Sequence, residues 1–313
     1  MGRIAWILPA VAMLVSACSS VPPTAQAPAP PTASTSAPDH SAAAPSRAAA
    51  AASPVSSASR PVEPAPRSYP ASPPVLPMAA GGGPARYPPT ATGILDGKVV
   101  VIDPGHNGGN AAAPSVINRL IWNGRETEAC DTTGTQTDSG YTEAEFNWNV
   151  ARYLAADLRA EGATVVLTRT SNTGVGPCVT ERAAIGNEVR GNAAVSIHAD
   201  GGPPDGRGFA ILEPVADGIN NSIIGPSGSL GADLRAAFAT GTGEPVSSYD
   251  GINGIQPRND LAGTNLSTIP KVFIECANMR NAADAALVTS PRWQATAARA
   301  IASGLTAFLR AGR

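Results

Sequence analysis

Lysine, histidine and cysteine are scarce in this chain, and its charge balance and cysteine spacing each argue against one class of function. Among 313 residues there are two lysines, three histidines and four cysteines. The formal net charge is −2, so the charge balance does not favour a nucleic acid as a partner. No two cysteines have the CxxC spacing, which argues against a zinc site built from cysteines.

The N-terminal apolar run, Ile4 to Val15, is too short to span a bilayer. It follows Arg3 and precedes small residues, a layout typical of an export signal. The sequence VSAC ends at Cys18 and resembles the bacterial lipobox, where a peptidase cuts before a lipidated cysteine. We therefore predict a lipoprotein signal peptide over residues 1–17, with Cys18 anchoring the exported protein to the outer face of the membrane. Cleavage at an ordinary small-residue site, which releases a free secreted protein, is the alternative.

Residues 18–93 consist largely of proline, alanine and serine and contain few large apolar side chains. Such a segment buries too little apolar area to offset its loss of conformational entropy. We predict a disordered tether over this range and a folded domain over residues 94–313.

Apolar strands alternate with amphipathic helices through the predicted domain. This pattern is typical of a single α/β domain with a largely parallel central sheet flanked by helices. The predicted strands are KVVVIDPG, TVVLTR, AAVSIHAD, GFAILEP and KVFIEC. The predicted helices are YTEAEFNWNVARYLAADLRAEGA, VTERAAIGNEVR, SLGADLRAAFAT and SPRWQATAARAIASGLTAFLRAG.

Three cysteines remain once Cys18 is set aside. Cys130 and Cys178 lie in turn-rich stretches, where a disulfide bond is geometrically easy, and export implies an oxidising compartment. Cys276 ends an apolar strand. We predict a Cys130–Cys178 disulfide and a buried thiol at Cys276.

Two histidines, His106 and His198, each follow an apolar strand, whereas His40 lies in the predicted tether. Ligands of open α/β sheets bind at the carboxyl ends of the strands, so both imidazoles reach one edge if the strands are parallel neighbours. Either histidine alone would more often be structural. Together they suggest Zn²⁺, which in catalytic sites is commonly held by two histidines and a glutamate.

The carboxylate ligand is not identified by spacing alone. Glu143 and Glu145 both open the long helix that follows Thr142. Glu145 also fits a capping box with Thr142, and Glu143 would interact favourably with the helix dipole in any case. A further candidate, Glu275, ends an apolar strand. It is either a buried general base beside a metal or simply a polar residue at the wet end of its strand.

Four blocks resemble, in order, those of the zinc-dependent N-acetylmuramoyl-L-alanine amidases: VVVIDPGHNGG, TEAEFNWNVARYLAADLRAEGATVVLTRT, VTERAAIGNEVRGNAAVSIHAD and IPKVFIECANMRNAAD. The resemblance covers about residues 95–313. It implies that His106, Glu143 and His198 hold one zinc ion and that Glu275 is the catalytic glutamate. The glycines around His106 are expected to allow a sharp turn that directs its imidazole toward the metal.

The resemblance implies a substrate, peptidoglycan or its muropeptide fragments, and hydrolysis of the amide between N-acetylmuramic acid and L-alanine. Arg207 and Arg258 are weaker candidates for contacts with the sugar or a peptide carboxylate, and we expect a monomeric catalytic domain. The segment ATGTGEPVSSYDGINGIQPRNDLAG departs from the family at its glycine-rich start. Two other functions stay open: a lipoprotein that only binds wall fragments, and a zinc peptidase that cuts within the stem peptide.

Overall fold

The fold is given by a computed structural model that describes residues 70–312. The strands are β1 (Ala85–Tyr87), β2 (Val99–Pro104), β3 (Leu120–Trp122), β4 (Thr127–Ala129), β5 (Thr164–Leu167), β6 (Ala193–Asp200), β7 (Ala210–Pro214), β8 (Ile255–Arg258) and β9 (Lys271–Asn278). The helices are α1 (Pro114–Ile117), α2 (Glu143–Ala160), α3 (Val179–Glu188), α4 (Ile224–Thr242), α5 (Ala262–Asn265), α6 (Ala282–Val288) and α7 (Pro291–Ala311). None of these helices is long and apolar enough to cross a membrane.

Seven strands form one sheet in the order β1-β5-β2-β6-β9-β7-β8. The strands β5, β2, β6 and β9 are mutually parallel neighbours, whereas β1 and β7 pair antiparallel with β5 and β9. The prediction of an α/β domain with a largely parallel central sheet is confirmed. Because β2, β6 and β9 are adjacent and parallel, their carboxyl ends meet at one edge of the sheet.

Helices cover both faces of the sheet and bury the strands. Alternate residues of β2 enter two different cores: Val100 and Ile102 face the larger one, and Val101 faces a smaller cluster. The larger core contains apolar residues of α2, α4 and α7, and the smaller cluster includes Ile185 of α3. Burial on both sides explains why the central strands are almost continuously apolar.

The helix that matters most for the site, α2, begins where the sequence predicts. The Thr142 hydroxyl accepts a hydrogen bond from the Glu145 amide at 3.3 Å, as expected for an N-cap residue. Gly162, with φ +98°, follows the end of the helix, in a conformation that favours glycine. Because Thr142 is the N-cap residue, Glu143 lies in the first turn of α2.

The prediction of disorder over residues 18–93 is wrong for residues 70–93. Within that range β1 pairs with β5, and the side chains of Leu76 and Tyr87 are buried. The Tyr87 hydroxyl also donates to the Pro77 carbonyl at 2.5 Å. Composition averaged over the segment misses these anchors, because the edge of β5 supplies hydrogen bonds that no local pattern reveals. The predicted signal peptide, Cys18 and the first part of the tether lie outside the described residues.

A disulfide joins Cys130 and Cys178, and Cys276 is a buried free thiol, both as predicted. Cys130 directly follows β4, and Cys178 is the N-cap residue of α3. The disulfide therefore links the β3–β4 hairpin to the N-terminus of α3.

Replacing Cys130 and Cys178 together with alanine is expected to lower the free energy of unfolding by up to about 4 kcal/mol. The bond closes a loop with a sequence separation of 48 residues, and losing it enlarges the conformational entropy of the unfolded chain. Chemical denaturation of the oxidised wild type and the double variant measures the difference. Adding a reducing agent should lower the free energy of unfolding of the wild type and leave that of the double variant unchanged.

Candidate active site

His106 lies in the turn that follows β2 and is itself in the left-handed region, with φ +54°. Two buried arginines hold the backbone of this turn. Arg182 Nη2 donates to the His106 carbonyl at 2.9 Å, and Arg169 Nη2 donates to the Gly105 carbonyl at 3.2 Å. The strained residue is thus the histidine rather than a glycine, and the arginines compensate by satisfying the carbonyls around it.

Gly105 provides room for the second histidine. His198 stands on β6, which is paired in parallel with β2, and a Cβ at Gly105 would lie 2.1–2.6 Å from three atoms of the His198 ring. The ring centroids of His106 and His198 are 5.0 Å apart. The expectation that the glycines mainly allow a sharp turn is therefore corrected here: Gly105 is required by the close approach of His198.

Replacing Gly105 with alanine is expected to displace His198 and to abolish metal binding while the fold persists. The added methyl group cannot fit beside the imidazole without moving a ring that β6 holds. Bound metal per protein, measured by atomic emission, should fall to background. Gly174→Ala serves as a control, because a Cβ at Gly174 would meet no atom within 4 Å. Retention of metal by Gly105→Ala would contradict this role.

Glu143, and not Glu145, joins the two histidines. The Glu143 side chain is buried, with Oε2 3.2 Å from His106 Nε2 and Oε1 2.8 Å from His198 Nδ1. Backbone amides of Thr135 and Ala199 donate to the same carboxylate at 3.0 and 3.3 Å. The side chain of Glu145 is exposed, and this residue serves the helix through its backbone.

These three residues have the donor set and the spacing of a metal site. One nitrogen of each histidine and one Glu143 oxygen lie within 4.8 Å of one another. Burial opposes a charge on His106, but the carboxylates of Glu143 and Asp131 outweigh it and raise the pKa of His106 to about 10. The cluster therefore favours a positive charge at this point, and a divalent cation would supply it in place of a proton. Two imidazoles and one carboxylate fit Zn²⁺.

Asp131 orients His106 from behind and was not identified from the sequence. Its Oδ1 lies 3.2 Å from His106 Nδ1, the ring nitrogen that faces away from Glu143. Asn107 Nδ2 and Arg182 Nη2 approach its Oδ2 at 2.9 and 3.5 Å. Such a carboxylate fixes the tautomer and orientation of a metal-binding histidine. In the sequence, Asp131 directly follows Cys130. That position would have indicated a site residue only if the disulfide were already known to lie close to His106.

Glu275 stands opposite His198 in the β6–β9 pairing. Its Oε2 is buried and has no hydrogen-bond partner among residues 70–312. Burial raises the pKa of Glu275 well above its usual range, and the Glu143 carboxylate adds to this effect. A carboxyl group that is poised to hold a proton next to a metal site is suited to general acid–base chemistry.

The site opens into a cavity of about 440 Å³. Arg258 lines this cavity, and both its Nε and Nη2 contact Asp260, at 2.7 and 2.6 Å. Arg207 does not line it: the guanidinium is paired with Glu244 at 2.7 Å and Asp284 at 3.2 Å. The cavity is lined by His106, Thr132, Gly134, Thr135, Glu143, His198, Asp200, Gly201, Leu212, Arg258, Leu261, Phe273 and Glu275.

Comparisons of the sequence and the fold with known proteins point to one family. Residues 100–307 match the sequence profile of a family described as N-acetylmuramoyl-L-alanine amidase. The chain is 42% identical over 216 residues to N-acetylmuramoyl-L-alanine amidase Rv3717 of Mycobacterium tuberculosis, covering 69% of this chain and 88% of that protein. It is similar to the crystal structure of the N-acetylmuramyl-L-alanine amidase Ami1 from Mycobacterium smegmatis, with 42% identity and a TM-score of 0.65. That comparison covers 69% of this chain and 98% of the other.

Proposed function

The chain belongs to the N-acetylmuramoyl-L-alanine amidase family, and from this premise we propose that it hydrolyses the amide bond between N-acetylmuramic acid and L-alanine in peptidoglycan with one zinc ion. The ligands in this proposal are His106, Glu143 and His198. Its main support is the meeting of their donor atoms within 4.8 Å at the edge of the sheet, with the half-buried Glu275 in the same cavity.

Zinc bound by these residues supplies a Lewis acid that polarises the carbonyl of the amide and makes water more acidic. The protein residues hold that chemistry in place. Glu143 contributes the one negative charge of the ligand set, and its two oxygens bridge toward different histidines. Asp131 keeps the His106 ring oriented, so its Nε2 atom faces Glu143 and would be available as a ligand.

Glu275 is the proposed general base and acid. It removes a proton from the water whose oxygen attacks the carbonyl carbon of the lactyl group. The carbon–nitrogen bond then breaks, and Glu275 passes the proton to the departing nitrogen of L-alanine. The products are the carboxylic acid of the lactyl group and a peptide with a free amino terminus. The raised pKa of Glu275 supports the second half of this cycle, because it favours the protonated form that donates to the departing nitrogen.

We further propose that the enzyme is exported and anchored to the membrane by a lipid on Cys18. The lipobox-like sequence VSAC supports this proposal. The proline-, alanine- and serine-rich sequence that follows Cys18 would then hold the catalytic domain close to the cell wall.

Chelation followed by reconstitution tests the proposed function. Incubation of the full chain with a muramyl peptide should release a peptide that begins at L-alanine, identified by mass spectrometry. A chelator should remove this activity, and added Zn²⁺ should restore it, because the ligand set fits that ion. Cuts within the stem peptide would instead identify a peptidase. Bound zinc without any cleavage would identify a wall-binding protein.

A further inference from the structure

Asp200 is a carboxylate in the catalytic cavity that the mechanism above does not use. It ends β6, two residues after His198, and lines the same cavity as Glu275. Its Oδ1 accepts a hydrogen bond from the Gly201 amide at 2.6 Å, and its Oδ2 accepts one from the Tyr249 hydroxyl at 2.9 Å. No lysine, arginine or histidine within residues 70–312 forms an ion pair with it.

Tyr249 is fitted closely against the loop that follows β6. A Cβ at Gly202 would lie 2.3 Å from Tyr249 Cε2, and a Cβ at Gly206 would lie 2.5 Å from Tyr249 Cδ1. Burial and the Asp200 carboxylate raise the pKa of Tyr249, so the hydroxyl stays protonated and donates. Tyr249 belongs to the segment ATGTGEPVSSYDGINGIQPRNDLAG, which departs from the family at its glycine-rich start. This segment therefore places Tyr249 against Gly202 and Gly206, where its hydroxyl orients Asp200.

The surrounding charges leave Asp200 available to a ligand. Apart from the two candidate ligand histidines, Arg258 is the one basic residue among the described residues that line the cavity. Its guanidinium donates two hydrogen bonds to the Asp260 carboxylate, at 2.7 and 2.6 Å. Glu275 lies in the same cavity, with a buried Oε2 that has no partner among the described residues. An oriented carboxylate without a cation, next to a second carboxyl group, is suited to a positively charged group of the substrate.

We infer that Asp200, held by Tyr249, binds a primary ammonium group on the peptide side of the cleaved bond. This inference rests on the proposed function, since that function puts a peptide in the cavity. Cleavage turns an uncharged amide nitrogen into an amine that takes up a proton, so a positive charge arises at L-alanine. An ammonium group on a side chain further along the peptide offers the same chemistry. Asp200 then determines which peptides are held, and Glu275 acts on the bond.

Calorimetry with the zinc-loaded full chain tests this inference. The probes are four versions of the tripeptide L-Ala-γ-D-Glu-L-Lys: unmodified, N-acetylated, with norleucine in place of lysine, and with both changes. Asp200→Asn should weaken binding of the unmodified peptide about tenfold, as expected for loss of a charged hydrogen bond. The same variant should bind the doubly modified peptide with the affinity of the wild type. Whichever singly modified peptide also becomes insensitive to the variant identifies the ammonium that Asp200 binds.

Two further variants keep the result interpretable. Tyr249→Phe removes only the hydroxyl that orients Asp200, so it should give a smaller loss with the same dependence on the peptide. It decides the question if Asp200→Asn does not keep the wild-type melting temperature. Asp205→Asn, at an exposed position of the following loop, removes an equal charge and should change nothing.

Equal loss for all four peptides, or no loss for any, would overturn the inference. Asp200→Asn could also lower kcat for a muramyl peptide while its affinity for all four tripeptides stays unchanged. That result would overturn the inference, because Asp200 would then act on the reaction through Glu275 and not by binding an ammonium group. Cleavage of a muramyl peptide by the wild type is measured separately. Its absence would reject the proposed function, while the dependence of binding on the ammonium group would still decide the role of Asp200.

Discussion

Replacing Glu275 with glutamine lowers the rate of amide hydrolysis by about 10²–10⁴-fold, the usual contribution of a general acid–base residue. Glutamine keeps the shape of the side chain but cannot take a proton from water. We expect the alanine variant to be inactive for the same reason. In both variants the zinc content should match that of the wild type, since Glu275 is not among the three clustered donors.

The comparison variant is Glu145→Gln, which changes a glutamate of the same domain whose side chain is exposed. It should retain wild-type turnover and zinc content. Kinetic assays and metal analysis on the same preparations separate the roles. If Glu275→Gln loses zinc along with activity, Glu275 is a metal ligand and the proposed division of labour is wrong.

Replacing Asp103 with asparagine lowers the free energy of unfolding by about 3–5 kcal/mol, the usual effect of removing one member of a buried ion pair. Asp103 is buried on β2 and lies 2.9 Å from both Arg182 Nη1 and Lys271 Nζ. Without its charge, Lys271 loses its ion-pair partner among the described residues, and Arg182 keeps only Asp131, at 3.5 Å. For a domain of this size, the melting temperature should fall by on the order of 10 °C. Arg182 also holds the His106 turn, so the metal affinity should fall as well.

The same residue predicts how stability depends on pH. Burial opposes a charge on Asp103, but Lys271 and Arg182 outweigh it and hold the pKa of that carboxyl well below its usual range. A depressed folded-state pKa contributes stability above the unfolded value of about 4, and this contribution is lost as the pH falls further. The difference in unfolding free energy between the wild type and Asp103→Asn should therefore shrink between about pH 4 and pH 2.

Denaturation at several pH values measures both effects, and Asp138→Asn is the control. Asp138 pairs with Arg280 at 2.8 Å, but its side chain is 79% exposed. Loss of an exposed ion pair changes stability little, so this variant should follow the wild type at every pH. A constant difference between the wild type and Asp103→Asn down to pH 2 would mean that the buried charge is not the source of the stability.

The candidate site was predictable in its principal residues because their signals are local. His106, His198 and Glu275 each come at or near the end of an apolar strand, and a parallel sheet brings such ends together. Spacing alone leaves Glu143 ambiguous with Glu145, since both fit the start of a helix, and the family resemblance selects Glu143. The burial of Glu143 agrees with that choice, and burial depends on which face of α2 meets the sheet. Asp131 carried no local signal, because its loop reaches His106 only in the folded chain.

The error in the tether boundary has a physical reason of the same kind. The tether was extended to residue 93 because proline and alanine dominate it, yet the edge of β5 captures β1 and gives that stretch a place in the sheet. Arg207 stays a prediction as a substrate contact. In the fold, its guanidinium pairs with Glu244 and Asp284 and does not line the cavity that contains Glu275.

The sequence by itself determined the α/β class, the order of the central strands and helices, the cysteine pair and the strand ends that carry chemistry. These features follow from hydrophobic periodicity and from residues a few positions apart. The tertiary structure decided that Asp131 contacts His106, how Gly105 makes room for His198, and which charges in the cavity have no ion pair among residues 70–312. Those outcomes depend on side chains far apart in sequence and on distances of a few tenths of an ångström, which only packing sets.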